Sequence, residues 1–289
     1  MRRATRRYGV RHGLPLLIRL VILLAATPAL ADRAADLAAQ ASSVQRETCQ
    51  NVTGLTNCHP AYPTGCSLSA NPQYDAYLNF LKNQTPASGT SISRYITRTT
   101  IQSLDTNTPA GITSHNHANF AATLSGPGIR EGNIVGLVGY LYFVQKTGAE
   151  STNCGLSGAE ETDFHIGIGF NRTIALGLQD GHTLTDIEKK RLAQTSMVVE
   201  VTPHYRAQFK PTWTYDFLRQ YVGRQVKVVG QLMLDNDHTV PRDNCADPNA
   251  DPDRCWRMTA WEIHPVIGVY VCTTTAACPR SSSAWSPLE

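Results

Sequence analysis

Apolar positions are densest in the second half of the chain, where five segments carry strand patterning. Asn133 to Lys146 is a long apolar run in which Gly136 and Gly139 permit a sharp bend. Asp163 to Phe170 alternates, with Asp163, His165 and Gly167 on one face and Phe164, Ile166 and Ile168 on the other. Met197 to Thr202 is β-branched and is stopped by Pro203, and Gln225 to Leu234 repeats the apolar pattern. Met258 to Cys272 is the fifth. Its stretch Trp261-Glu262-Ile263-His264 alternates before the run from Val266 to Val271 turns β-branched. The pattern predicts a strand whose first half is exposed on one face, with Glu262 and His264 on the outer surface, and whose second half is buried.

Helical spacing is confined to shorter stretches. Asn71 as N-cap and Pro72 at the first helical position open a segment to Asn83 with Tyr74, Tyr77, Leu78 and Leu81 in phase. Thr185-Asp186-Ile187-Glu188 fits a capping box. Thr212 to Val222 puts Trp213, Phe217, Leu218 and Tyr221 on one side and ends at Gly223. Ile92 to Leu104 suits a strand or a short helix. Three strands, a helix and two strands predict a mainly β fold: a five-stranded OB-like barrel with a helix between strands three and four, plus an N-terminal helical arm. A generic antiparallel sandwich is the alternative. The corresponding division is a signal peptide over 1–31, a cysteine-containing arm with a helix over 32–128, the barrel over 129–275 and a C-terminal tail over 276–289.

The signal rests on an Arg-rich start, the apolar run Leu20 to Ala26 and Ala29-Leu30-Ala31 ahead of Asp32. Arg19 interrupts the run, so the segment is too short to anchor the mature protein across a membrane. Export, to the periplasm or outside the cell, changes the charge: six arginines and no acids lie in the signal, so the balance falls from +3 to −3. The mature chain then lacks the net positive field that accompanies nucleic-acid binding. All eight cysteines follow the signal and no C-x-x-C occurs, which points to disulfides. Short loops suggest Cys245 with Cys255 and Cys272 with Cys278, and Asn51 to Asn71, with two further cysteines inside it, reads as a stapled loop.

Thr162-Asp163-Phe164-His165-Ile166, Val198-Val199-Glu200-Val201, Asp235-Asn236-Asp237-His238 and Trp261-Glu262-Ile263-His264-Pro265-Val266 carry a resemblance. The chain resembles a group of exported bacterial proteins with D-x-H-I/L, V-V-E-V, D-x-x-H and W-E-I-H-P-V motifs over about 133–272. The resemblance implies an exported OB-like domain and no particular activity.

In the OB order the second, third and fifth strands are neighbours, which would gather Asp163, His165, Glu200, Glu262 and His264 on one face, with Asp235 and His238 at its rim. Such a cluster serves a structural or ligand-binding role, an acid–base role, or a divalent metal, with His165, His238 and His264 as its imidazole ligands. His115 and His117 form a weaker metal candidate. Exposed Tyr140, Tyr142, Tyr205 or Trp256 would supply stacking surfaces for an oligosaccharide or oligonucleotide. No G-x-S-x-G or cysteine-protease motif is present, so nucleophilic hydrolase classes lack support. The leading expectation is a binding module without a cofactor; a metal-dependent hydrolase acting on phosphodiesters is the runner-up.

Overall fold

The computed structural model describes residues 48–58, 64–67, 74–86, 90–113, 116–179 and 184–289. The proposed signal segment, Asn71 with Pro72, and His115 lie outside these. Among the described residues no helix is long and apolar enough to cross a membrane.

The strands are β1 (Arg94–Ile96), β2 (Ser125–Gly126), β3 (Ile129–Arg130), β4 (Ile134–Lys146), β5 (Phe164–Gly169), β6 (Ser196–Val201), β7 (Gln225–Leu234), β8 (Trp261–Cys272) and β9 (Trp285–Pro287). Seven of them form one mixed sheet in the order β1-β4-β5-β6-β8-β7, with β9 on β8. Pairing of β4 with β7 closes β4, β5, β6, β8 and β7 into a ring. All five predicted strands are therefore present, and β5, β6 and β8 lie side by side as expected. The single parallel contact in the ring, Val199 with Ile263, joins β6 to β8.

β4 serves two neighbours in succession, β7 through Ile134 to Tyr140 and β5 from Tyr140 onward. Gly139 sits at this change of partner, where a Cβ would lie 2.7 Å from the Gly169 carbonyl oxygen. Only glycine allows that approach. The ring encloses Phe164, Ile166, Ile168, Met197, Val199, Trp261 and Ile263, all buried. Burial of each such side chain contributes about 1.5 to 3 kcal/mol relative to an exposed one.

The eight described helices are α1 (Leu55–Cys58), α2 (Ala76–Lys82), α3 (Arg98–Asn107), α4 (His117–Phe120), α5 (Arg172–Gln179), α6 (Asp186–Gln194), α7 (Pro203–Phe209) and α8 (Tyr215–Arg219). α2 begins at Asp75, whose carboxylate accepts from the amides of Tyr77 and Leu78, so the helix is capped four residues later than the Asn-Pro pair suggested. The ambiguous segment Ile92 to Leu104 proves to be both elements, β1 followed by α3. The Thr185 capping box is formed. Pro203 does more than end a strand: it occupies the first turn of α7, so two helices, not one, separate β6 from β7.

The arm is part of the same body, since β1 pairs with β4. The tail also joins it through β9 and through Leu288, which accepts a hydrogen bond from the Trp213 indole. Four disulfides staple the surface: Cys49–Cys66, Cys58–Cys154, Cys245–Cys255 and Cys272–Cys278. The two short-loop pairs are those expected from spacing.

Candidate functional site: a chain of buried charges opening on a cleft

The site lies on the outer face of the ring, where the arm covers it. Tyr77, Leu78 and Leu81 of α2 pack on Met233, the apolar foothold on that face. The helix end is satisfied by the ring itself: Gln231 Nε2 donates to the Leu81 carbonyl at 3.0 Å and Thr202 Oγ1 to the Lys82 carbonyl at 3.0 Å. A C-terminal turn carries unpaired carbonyls, and these two side chains supply the missing donors.

This cover overturns one expectation. Glu262 and His264 are fully buried, and β8 is buried on both faces through its first half, while its second half is the more open part. Alternation had correctly put the pair on the face away from the core, but that face is roofed by residues some 180 positions earlier in sequence. A buried charge must be paired, and these are.

Register brings the first pair together. His165 and Glu200 are direct cross-strand partners, and His165 Nε2 lies 2.8 Å from Glu200 Oε1. The other oxygen of Glu200 is 3.3 Å from His264 Nδ1, which is also 3.3 Å from Glu262 Oε1. Glu262 Oε2 accepts from Arg257 Nη2 at 2.6 Å, and Arg257 Nη1 donates to Asp235 Oδ2 at 2.6 Å. Asp235 Oδ2 lies 2.6 Å from His238 Nδ1. Basic and acidic groups thus alternate from His165 through Glu200, His264, Glu262, Arg257 and Asp235 to His238. Six of the seven expected residues are links of this chain. Asp163 stands beside it, 3.8 Å from His264 Nε2, and accepts from Asn153 at 3.4 Å.

The hydrogen bonds fix the protonation of His264. Thr202 Oγ1 gives its proton to the Lys82 carbonyl, so it must accept from His264 Nε2, 2.9 Å away. Nε2 is therefore protonated. Two carboxylate oxygens face Nδ1, which also needs a proton to attract both. His264 is an imidazolium: burial pushes its pKa down, but Glu200, Glu262 and Asp163 outweigh that and hold it above the ordinary value.

The same contest decides the neighbours. Burial disfavours the charged form of Glu200, yet His165, Lys82 and His264 keep it ionised well below the usual carboxylate range. Asp235 is held down likewise by His238 and Arg257. For His165 burial works against charge and Glu200 wins, raising it to about 9. Asp163 goes the other way, pushed up to about 7 by burial despite His264. Lys82 is drawn well above its usual value by Glu150, Glu200, Asp235 and Glu262 despite its burial, and pairs with Glu150 at 3.3 Å.

Asp163, Glu200 and His264 bring ligand atoms within 4.8 Å of one another, close enough to surround a metal ion. Both nitrogens of His264 are engaged, Nε2 by Thr202 and Nδ1 by Glu200 and Glu262, so a metal ion would have to displace a proton from the ring. Nor do His165, His238 and His264 converge: each is spent on carboxylates, and no group of three ligands among the described residues contains two of them. His117 is likewise committed, at 3.0 Å from Glu131, which also accepts from Tyr77.

Only the ends of the chain reach solvent. His165 and His238, with side chains 18% and 32% exposed, open on a cleft of about 920 Å³. Its walls come from the end of β4, β5, β6, the β4–β5 connection at Thr147 to Thr152 and the β7–β8 connection from Asp235 to Trp256, with α2 and Ile112 and Thr113 of the arm closing it. Trp256 stands between the imidazoles, parallel to His165 at 6.3 Å between ring centroids and edge-on to His238 at 5.1 Å. Its indole N–H donates to Asp243 at 3.0 Å, and the adjacent Cys245–Cys255 bridge fixes the loop that carries it. Of the four candidate aromatics it is the one that lines this cleft. Tyr142 and Tyr205 are buried, with hydroxyls committed to backbone, and Tyr140 lines a separate cavity.

Arg257 was missed by pattern reading, since it lies in a loop without periodicity. One signal pointed to it: four carboxylates gathered with three imidazoles leave a deficit of positive charge that a buried cluster has to fill. Comparison of the chain with protein-family models, with curated proteins and with solved structures finds no match to any of them.

Proposed function

We propose that the protein is an exported, disulfide-stabilised, OB-like binding module that takes an oligosaccharide in the cleft between His165 and His238. The observation that carries this reading is the origin of the cleft walls. In ring order they include the second and third strands and the connections between strands one and two and between four and five, to which the arm adds α2, Ile112 and Thr113. OB domains bind extended ligands on that face and with those loops. The ring order first, second, third, fifth, fourth, with a parallel contact between the third and fifth, supports the OB-like assignment.

Charge favours a sugar over a nucleic acid. Lys82 is paired with Glu150, His165 with Glu200 and Arg242 with Asp243, and Lys146 lies over the Tyr215 ring; with Glu150, Glu200, Asp235, Asp237 and Asp243 all in the lining, the cleft offers no surplus of cations for a phosphate backbone. Trp256 gives an apolar edge among polar groups, the combination that orients a polyhydroxylated ring.

Titration calorimetry of the mature protein with neutral and acidic oligosaccharides tests this reading. Saturable binding is expected, and Trp256→Ala should weaken it tenfold or more while leaving the melting temperature nearly unchanged. Absence of binding to every oligosaccharide would remove the proposal, and so would sub-micromolar affinity for single-stranded DNA at physiological salt.

A further inference from the structure

A second cavity adjoins the cleft. It holds about 1000 Å³ and is walled by α3, by the arm segment Thr108 to Ile112 and by the β7–β8 connection from Thr239 to Asn249. Ile112, Thr239 and Val240 line both spaces, so the two meet across a ridge of three side chains. The ridge is held in place from both sides. The Val240 carbonyl accepts from the amides of Asp243 and Asn244 at 2.9 and 3.0 Å, the Thr239 hydroxyl donates to the Asn236 carbonyl, and Ile112 packs into the main core. Val240 is itself 40% exposed, an apolar side chain left open where the spaces join.

The two linings differ in chemistry. In the first, Lys82, His165, His238 and Arg242 are each spent on a carboxylate. In the second, Gln102 and Asn249 are exposed, and their side-chain amides have no hydrogen-bond partner among the described residues. The buried Asn244 spends its Oδ1 on the Ala246 amide, while its Nδ2 makes no such bond there. A side-chain amide offers an acceptor oxygen and two donor hydrogens, so these groups match sugar hydroxyls, which also give and accept. The same lining includes Ile112, Val240, Pro241 and Met258, apolar surface for the C–H faces of a sugar ring. Its charged groups are Arg98, Asp105 and Asp247, too few and too mixed in sign to select an ionic ligand.

We propose that the two cavities are one binding groove, and that a neutral oligosaccharide extends from Trp256 across Thr239 and Val240 into the second cavity, where Gln102, Asn244 and Asn249 bind its hydroxyls. This rests on the oligosaccharide-binding reading and adds to it the length and charge of the ligand. Each cavity by itself is of the size that encloses one small organic molecule, about 300 to 1,000 Å³, so the pair takes a chain of sugars and not a single ring. A ligand confined to the first cavity would leave the amides of the second unused. The β7–β8 connection walls both spaces, and the Cys245–Cys255 bridge fixes it, so the groove is formed before the ligand arrives.

The test is titration calorimetry of the mature full chain with cello-, malto- and N-acetylated chito-oligosaccharides of increasing length, and with acidic oligosaccharides beside them. In a neutral series that binds, affinity should rise about tenfold or more from the shortest oligomer bound to the longest, levelling off once both cavities are filled. Gln102→Ala combined with Asn249→Ala, both exposed positions, should weaken the longest oligomer about fivefold or more and leave the shortest within about twofold. Trp256→Ala should weaken both. Ala246→Trp, which narrows the second cavity, should bring the longest oligomer down to the affinity of the shortest, with the melting temperature reporting that this variant is folded. Affinity independent of length overturns the inference and leaves the binding reading standing. A longest oligomer indifferent to the Gln102 and Asn249 pair does the same, as does binding confined to acidic oligosaccharides. No binding of any oligosaccharide fails both.

Discussion

Arg257→Met should lower the folding free energy by about 3 to 5 kcal/mol, the largest effect expected of any single substitution in the charge chain. The guanidinium is fully buried and is the common partner of Asp235 and Glu262, each at 2.6 Å. Methionine replaces its volume but leaves two carboxylates in a low-dielectric interior, with His238 and His264 as their remaining partners. Urea unfolding measures the loss. Adding Asp235→Asn and Glu262→Gln to the same variant should recover a large part of it, because the cost lies in the stranded charges and not in the missing packing. A single-variant cost under about 1 kcal/mol would mean that water already solvates this cluster.

The second large effect is a loss of stability in mild alkali. His165 has a folded pKa of about 9, above its unfolded value, so its contribution is complete below about pH 6.5 and disappears as pH rises through 9. His264 is shifted in the same direction. Asp163, raised to about 7, adds a penalty that grows between 3.8 and 7, where the unfolded carboxyl has ionised and the folded one still holds its proton. Glu200 and Asp235 are depressed, so their contribution is present above the unfolded carboxylate range and is lost only as the solution becomes strongly acidic. Together these place the maximum near the unfolded carboxylate values, at about pH 4 to 5. Between pH 6 and 9 the unfolding free energy should fall by about 3 kcal/mol. Denaturant midpoints at those pH values check it, with His165→Gln flattening the slope. A profile level across that range would show that the imidazoles are not held as cations.

Much of this architecture was readable from residue order. The five ring strands begin and end within three residues of their expected limits, because each combines β-branched runs with a clear stop. Opposed His165 and Glu200 follow from strand phase plus ring order, two local properties. What could not be read is non-local. The burial of Glu262 and His264 depends on α2 finding Met233 and on Gln231 and Thr202 meeting its last carbonyls, contacts between segments more than 100 residues apart. Arg257 occupies a loop whose conformation is set by a disulfide and by partners on other elements, so no period marks it. The first turn of α7 was hidden by a proline that reads equally well as the end of a strand.

The Cys58–Cys154 bridge gives the arm a chemical lock. It joins the segment preceding α2 to the β4–β5 connection, across 96 residues of chain, and α2 and that connection both wall the cleft. Until the two thiols are oxidised, α2 is held over the carboxylates by non-covalent contacts alone, with Met233 and with the Gln231 and Thr202 donors among them. Oxidation therefore reinforces a cover that the strands and ion pairs beneath it do not themselves depend on. A chain folded under reducing conditions would keep both imidazoles on their carboxylates, yet the roof of the cleft would be free to lift without breaking a covalent bond.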